Sequence, residues 1–259
     1  IRPAIMKRVI MYIFVLIFLA QTAHAQSGYK LTKTFHIAST GGWDYITVDP
    51  TSNRLYVSHG TQVNILDKIT GDSLGVIPNT TGAHGIALVN SINKGYTSNG
   101  RLNNVSVFDL KTNAVMKQIP TGENPDAIFY EPVSKKIITC NGRSKDLTII
   151  DVASEQVVAT IAVGGKPETA VSDEAGKVFV NIEDKNEILA IDINKNETSH
   201  WALNAESPTG LAIDVASKRL FAGCEKTLVV MDATNGKVIT TIPIGEGCDG
   251  VAFDSKSKL

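Results

Sequence analysis

The chain repeats itself, and the repeat constrains the fold more than any other feature. Five strand-like segments end on Asp in the same setting: Val63-Asn64-Ile65-Leu66-Asp67, Val105-Ser106-Val107-Phe108-Asp109, Leu147-Thr148-Ile149-Ile150-Asp151, Ile188-Leu189-Ala190-Ile191-Asp192 and Leu228-Val229-Val230-Met231-Asp232. The Asp residues lie 42, 42, 41 and 40 positions apart. A fixed period of this length marks a unit that cannot bury its apolar faces alone and stacks on copies of itself. Each Asp leads into a turn: Thr70-Gly71, Thr112-Asn113, Ser154-Glu155, Lys195-Asn196 and Asn235-Gly236. A carboxylate that accepts backbone N–H bonds beside a residue tolerant of positive φ is tight-turn chemistry, so these Asp residues are read as structural.

Other strands repeat with the same period. Arg54–Ser58, Lys94–Ser98, Lys136–Cys140, Lys177–Asn181 and Arg219–Gly223 precede the Asp-ended strands. Shorter apolar strands come before those, at Tyr45–Val48, Ile86–Val89, Ala127–Tyr130, Thr169–Ser172 and Leu211–Asp214. A fourth strand follows each Asp turn, as in Gln156–Ile161 and Lys237–Ile242. Four short strands per unit predict an all-β fold, a beta-propeller of four-stranded blades. The period excludes leucine-rich and ankyrin repeats. A stacked β-solenoid uses a shorter coil, and an immunoglobulin-like sandwich does not repeat its own sequence.

Five full blades are expected, at about 41–79, 82–121, 122–163, 165–205 and 207–245, followed by the start of a sixth. Tyr29–Ile37 aligns with the fourth strand Ile239–Ile244. This predicts a ring closed by the N-terminal strand, which would remove an open sheet edge. The expectation is a propeller that is seven-bladed when complete, and six-bladed at the least. Here it is a C-terminally truncated arc whose raw edges favour aggregation.

Lys7-Arg8, the apolar run Val9–Ala20 and Ala23-His24-Ala25 follow the order of a secretory signal peptide, assigned to residues 1–25. Met6 is the expected start, with residues 1–5 upstream of it, and residues 26–259 form the propeller domain. The apolar run is short for a hydrocarbon layer of about 30 Å. The expected product is therefore periplasmic or extracellular, without stable membrane insertion after cleavage. Removing residues 1–25 takes away three basic side chains and no acidic one. The remainder is mildly acidic, which gives no reason to expect a nucleic-acid partner.

Aligning the blades places one residue per repeat where the chain enters the inner strand: Asp44, His84, Asp126, Glu168, Thr209 and Asp249. In a propeller these positions gather at one mouth of the central channel. Asp44, His84, Asp126, Glu168 and Asp249 are the candidate ligand-binding set, since carboxylates and an imidazole favour a cation, a metal or a basic peptide group. Polar loop ends facing channel water would give the same pattern. His59, Asn99, Asn141 and Cys224, just after the second strands, could line the same face. Trp43 is either a contact platform or an aromatic packed over the entrance. His36 and His200 fall on outer strands.

An exported protein permits a disulfide between Cys224 and Cys248, while Cys140 reads as buried and inert. The chain has no Cys-x-x-Cys-His haem site, Gly-x-Ser-x-Gly elbow, phosphate loop or zinc-protease motif. No catalytic acid–base pair emerges, and the only cofactor left open is a divalent metal at the mouth.

The repeat resembles the YVTN-type beta-propeller family of roughly 40-residue units, including YncE-like exported proteins. Tyr56-Val57-Ser58 and Tyr96-Thr97-Ser98-Asn99 stand where that family carries its Tyr-Val-Thr-Asn strand. Gly122-Glu123-Asn124-Pro125 and Gly164-Gly165-Lys166-Pro167 match its Gly-x-x-Pro approach to a blade, and Thr234–Ile239 looks like its turn into the fourth strand. The likeness covers nearly all of residues 29–259. The resemblance does not by itself choose a role; the leading expectation is a non-enzymatic exported module that binds or scaffolds a protein, peptide or cell-envelope component. Two alternatives stand beside it: a metal-dependent hydrolase or lyase using Asp44, His84, Asp126 and Glu168, and a propeller subunit of a periplasmic redox complex.

Overall fold

The computed structural model describes residues 30–38, 41–193, 195 and 197–259. Residues 1–25, the expected signal peptide, lie outside the described residues, as does Tyr29. Contacts divide the chain into two units, Ile1–Ile37 and Ala38–Leu259. Among the described residues no helix is long and apolar enough to cross a membrane.

The second unit holds five four-stranded antiparallel sheets, each in sequential order. The first blade is β1 (Trp43–Val48), β2 (Arg54–His59), β3 (Gln62–Asp67) and β4 (Ser73–Ile77). The second is β5 (Ala83–Val89), β6 (Lys94–Asn99), β7 (Asn104–Asp109) and β8 (Val115–Pro120). The third is β9 (Pro125–Glu131), β10 (Lys136–Asn141), β11 (Asp146–Asp151) and β12 (Gln156–Ala162). The fourth is β13 (Pro167–Ser172), β14 (Lys177–Ile182), β15 (Glu187–Asp192) and β16 (Glu197–Ala202). The fifth is β17 (Gly210–Asp214), β18 (Arg219–Cys224), β19 (Thr227–Asp232) and β20 (Val238–Pro243). The arrangement is propeller-like and is not closed into a barrel.

Side chains alternate across a strand, and here both faces of the middle strands are buried. Ile137 and Ile150 join Val105 and Val107 of the second blade in one apolar cluster. Their neighbours Ile138 and Ile149 join Val180 and Leu189 of the fourth. Similar clusters join blades one and two and blades four and five. The core is thus a series of inter-blade interfaces, and β2, β3 and their equivalents are buried along nearly their whole length. Each fully buried Ile or Leu contributes about 1.5–3 kcal/mol. The outer strand β12, by contrast, is almost wholly exposed.

The Asp-ended turns form as expected. Asp67 accepts from the backbone N–H groups of Ile69 and Thr70, Asp109 from Lys111 and Thr112, Asp151 from Ser154, Asp192 from Lys195, and Asp232 from Thr234. A second turn acid, not anticipated from the repeat, closes the inner hairpin. Asp49, Glu131 and Asp214 each accept from backbone N–H groups and a hydroxyl two or three residues on. Asp254 does the same in the partial sixth repeat.

Residues 30–37, the described part of the segment expected to close the ring, adopt no strand. An extended segment becomes a strand only by pairing, and no ladder includes these residues. The start of the sixth repeat is likewise unpaired, yet it packs on the fifth blade. Phe253 stacks on Phe221 with ring centroids 5.5 Å apart, and Val251 and Cys248 lie over Gly223, which has no side chain to exclude them.

Candidate ligand site at the channel mouth

Four inner strands begin with a register irregularity, between Trp43 and Ile46, between Ala83 and Ile86, opposite Thr139–Asn141, and between Pro167 and Ala170. Such bulges release a residue from the ladder and re-aim its side chain. The released residues include Asp44, His84, Asp126 and Glu168. Hydroxyls of the second strand satisfy the freed backbone: Ser58 Oγ accepts from Tyr45 N at 2.8 Å and Ser98 Oγ from Gly85 N at 2.9 Å. The fifth inner strand pairs in unbroken register, and there the preceding residue is Thr209. Its hydroxyl donates to Cys248 O, and its carbonyl accepts from Thr169 Oγ1, tying adjacent inner segments together.

All five members of the expected set, Asp44, His84, Asp126, Glu168 and Asp249, line one cavity of about 590 Å³. His84 Nδ1 lies 2.5 Å from Asp44 Oδ2 and 3.8 Å from Asp126 Oδ1. One ligand atom from each of Asp44, His84 and Asp126 falls within 4.8 Å of the others. Lys166 Nζ contacts Glu168 and lies 2.5 Å from Glu183 Oε2, so its ammonium is shared between two carboxylates.

These groups are electrostatically frustrated. Burial raises the Glu168 pKa to about 7; nearby Asp126 pushes the same way, and the shared Lys166 does not offset them. Burial, then Asp44, also raises Asp126, against the opposing pull of His84. Burial alone would lower the His84 pKa, but the Asp44 hydrogen bond and the charges of Asp126, Asp44 and Glu168 outweigh it and raise it. Tyr45, beneath this group, is held neutral by burial and by Asp126 and Asp44. Burial likewise holds the Cys140 thiol protonated, which makes it a poor nucleophile.

Residues expected to share this face prove structural instead. Asn99 and Asn141 are fully buried and perform the same task in successive blades. Asn99 Nδ2 donates to Asn104 Oδ1 and Ser106 Oγ, and Asn141 Nδ2 to Asp146 Oδ1 and Thr148 Oγ1. His59 is buried under Trp43, with ring centroids 3.7 Å apart and planes 10° from parallel. Trp43 keeps its other face open and is 51% exposed. His36 and His200 are exposed, and His200 Nδ1 lies 2.7 Å from Glu187 Oε1.

All three cysteines are free thiols. Alternation along β18 explains why Cys224 and Cys248 do not pair. Cys224 faces the fourth blade, in the cluster with Ala222 and Met231, whereas Cys248 rests against Gly223 on the opposite face.

Residues 62–177 match the family model described as YNCE-like beta-propeller. This part of the chain is a YncE-like beta-propeller domain. No curated protein sequence matches the chain. The WD40 repeats of RRP9 resemble it in structure, with a TM-score of 0.71 at 10% sequence identity. The likeness covers 80% of this chain and 65% of that one, so the chain spans about two thirds of the solved structure's length. At this identity the likeness extends to the propeller fold alone.

Proposed function

We propose that this YncE-like domain belongs to an exported, non-enzymatic binding protein whose channel mouth takes a cationic group presented by a protein, peptide or cell-envelope component. The observation that carries this reading is the convergence of Asp44, Asp126, Glu168 and Asp249 on one cavity. Within that cavity burial and mutual repulsion already raise Asp126 and Glu168. A bound cation relieves that repulsion, whereas an anion or an apolar group does not. Lys166 supports the same reading, since the protein's own ammonium rests against Glu168.

The test is titration of the whole protein with a lysine-containing peptide blocked at both ends. Saturable binding should weaken with added salt and fall about tenfold or more in D126N/E168Q. Equal binding by that variant would overturn the reading. A second reading is a divalent-metal site. It is favoured by the close approach of ligand atoms from Asp44, His84 and Asp126. A metal there would have to displace the Asp44–His84 hydrogen bond. Near-stoichiometric metal retained through dialysis, and lost on Asp126→Asn, would favour this alternative.

A further inference from the structure

Asn99-Gly100-Arg101 and Asn141-Gly142-Arg143 are the same three residues, 42 positions apart. They form the β6–β7 and β10–β11 turns, next to the acidic mouth. The fold accounts for both asparagines and for Gly100, whereas Gly142 has ordinary room for a side chain. The asparagines are the buried staples described above. At Gly100 a Cβ would stand 2.7 Å from His84 Nε2 and 2.9 Å from Asn124 Oδ1, so a side chain there would have to displace both.

The turn does not account for the arginines. Thr61, Asp184 and Lys226 occupy the equivalent position in the other blades, so the turn itself does not require a guanidinium. Arg101 and Arg143 are both exposed, and neither forms an ion pair among the described residues. The space before Arg101 is kept open by Gly82, at φ +74°, where a Cβ would meet the Arg101 backbone N at 2.6 Å.

Both arginines line a second cavity of about 400 Å³ together with Trp43 and Asn124. This cavity adjoins the acidic one, because Asp44 and His84 line both. Trp43 forms a flat apolar wall, held from behind by His59. The paired cavities therefore present two guanidinium forks, an aromatic platform and a group of carboxylates in succession. Guanidinium forks suit a carboxylate, an indole face suits an aliphatic stem, and the acids suit an ammonium.

We propose that the two cavities together recognise the C-terminus of a peptide that ends in a basic residue. Its terminal carboxylate is held by Arg101 and Arg143, its side-chain stem lies along Trp43, and its cationic head enters the acidic mouth. This rests on the cation-binding reading above and adds the carboxylate half.

Three fluorescently tagged peptides test it against the whole protein: one ending in lysine with a free carboxylate, its C-terminal amide, and a free acid ending in norleucine. The lysine acid should bind about tenfold tighter than its amide. The R101Q/R143Q variant should abolish that difference while leaving the thermal midpoint unchanged. Acid and amide binding within about twofold of each other would overturn the carboxylate assignment. The underlying reading fails differently, by the norleucine acid binding as tightly as the lysine acid while the gap between acid and amide persists. Binding by none of the three overturns both.

Discussion

Two sets of acids sit at equivalent positions of the blades and behave oppositely. The outer-turn acids are hydrogen-bonded locally and stay ionised. Side-chain hydrogen bonding from Lys136 and then the Ser154 N–H hold Asp151 well below the usual carboxylate range. The Thr112 N–H does the same for Asp109, and the Thr234 hydroxyl for Asp232. The mouth acids Asp126 and Glu168 have their pKa values raised, because burial opposes ionisation and a neighbouring carboxylate adds to it, Asp44 at Asp126 and Asp126 at Glu168. The difference separates acids that hold turns from acids gathered at one cavity. Where every repeat keeps the same residue, the blade itself needs it. Where the repeats read Asp, His, Asp, Glu, Thr and Asp in turn, the blade tolerates variety and the shared cavity sets the chemistry.

The largest expected contrast is in thermal stability. Asp109→Ala and Asp151→Ala should each lower the thermal midpoint by about 2–4 °C, because each leaves turn N–H groups without their acceptor. Circular dichroism melts of these variants beside Asp126→Asn measure it. Equal destabilisation by the mouth variant would collapse the distinction between the two sets.

Most of the fold was legible because both of its periods are written in the sequence. The 41-residue spacing marks the blades, and the apolar runs mark strands buried on both faces. That Asp44, His84, Asp126, Glu168 and Asp249 share one cavity was legible for a related reason: equivalent positions in stacked blades lie side by side. Other features were not legible. The bulges that release Asp44 and Asp126 toward the shared cavity depend on pairing between strands, which a single strand's sequence does not carry. Asn99 and Asn141 looked like face residues because their partners, Asn104 and Asp146, lie across a turn. The Cys224–Cys248 pairing looked reasonable by loop position, but alternation along β18 sets the two thiols on opposite faces. The Asp49, Glu131 and Asp214 hairpin turns went unnoticed because the second blade has no acid at that position.

A smaller effect of opposite sign sharpens the comparison. At pH 8 the D126N/E168Q variant should melt at the wild-type temperature or about 1–2 °C above it, since the exchange removes buried like charges. A lower midpoint would mean that the mouth acids, like the turn acids, hold the fold together.

The smallest expected effect is a pH dependence confined to a narrow window. Glu168 has an ordinary value of 4.5 and a folded value of about 7, so between those values the folded state binds more protons than the unfolded chain. Stability must then fall as pH rises through that window, by linkage. Asp126, also raised, adds a decline of the same sign above its ordinary value of 3.8. His84, raised from 6.5, adds another as it loses its proton at higher pH. The turn acids act in a separate window. Asp109, Asp151 and Asp232 are depressed from 3.8, so their contribution is present above that value and is lost as pH falls through their folded values. Melting temperature against pH should therefore peak in mildly acidic solution and decline on both sides. Glu168→Gln should flatten the decline between about pH 4.5 and 7 while leaving the acid limb in place. A wild-type midpoint that rises steadily across that interval would show that the mouth carboxylates ionise without cost, and the frustration that favours a bound cation would be gone.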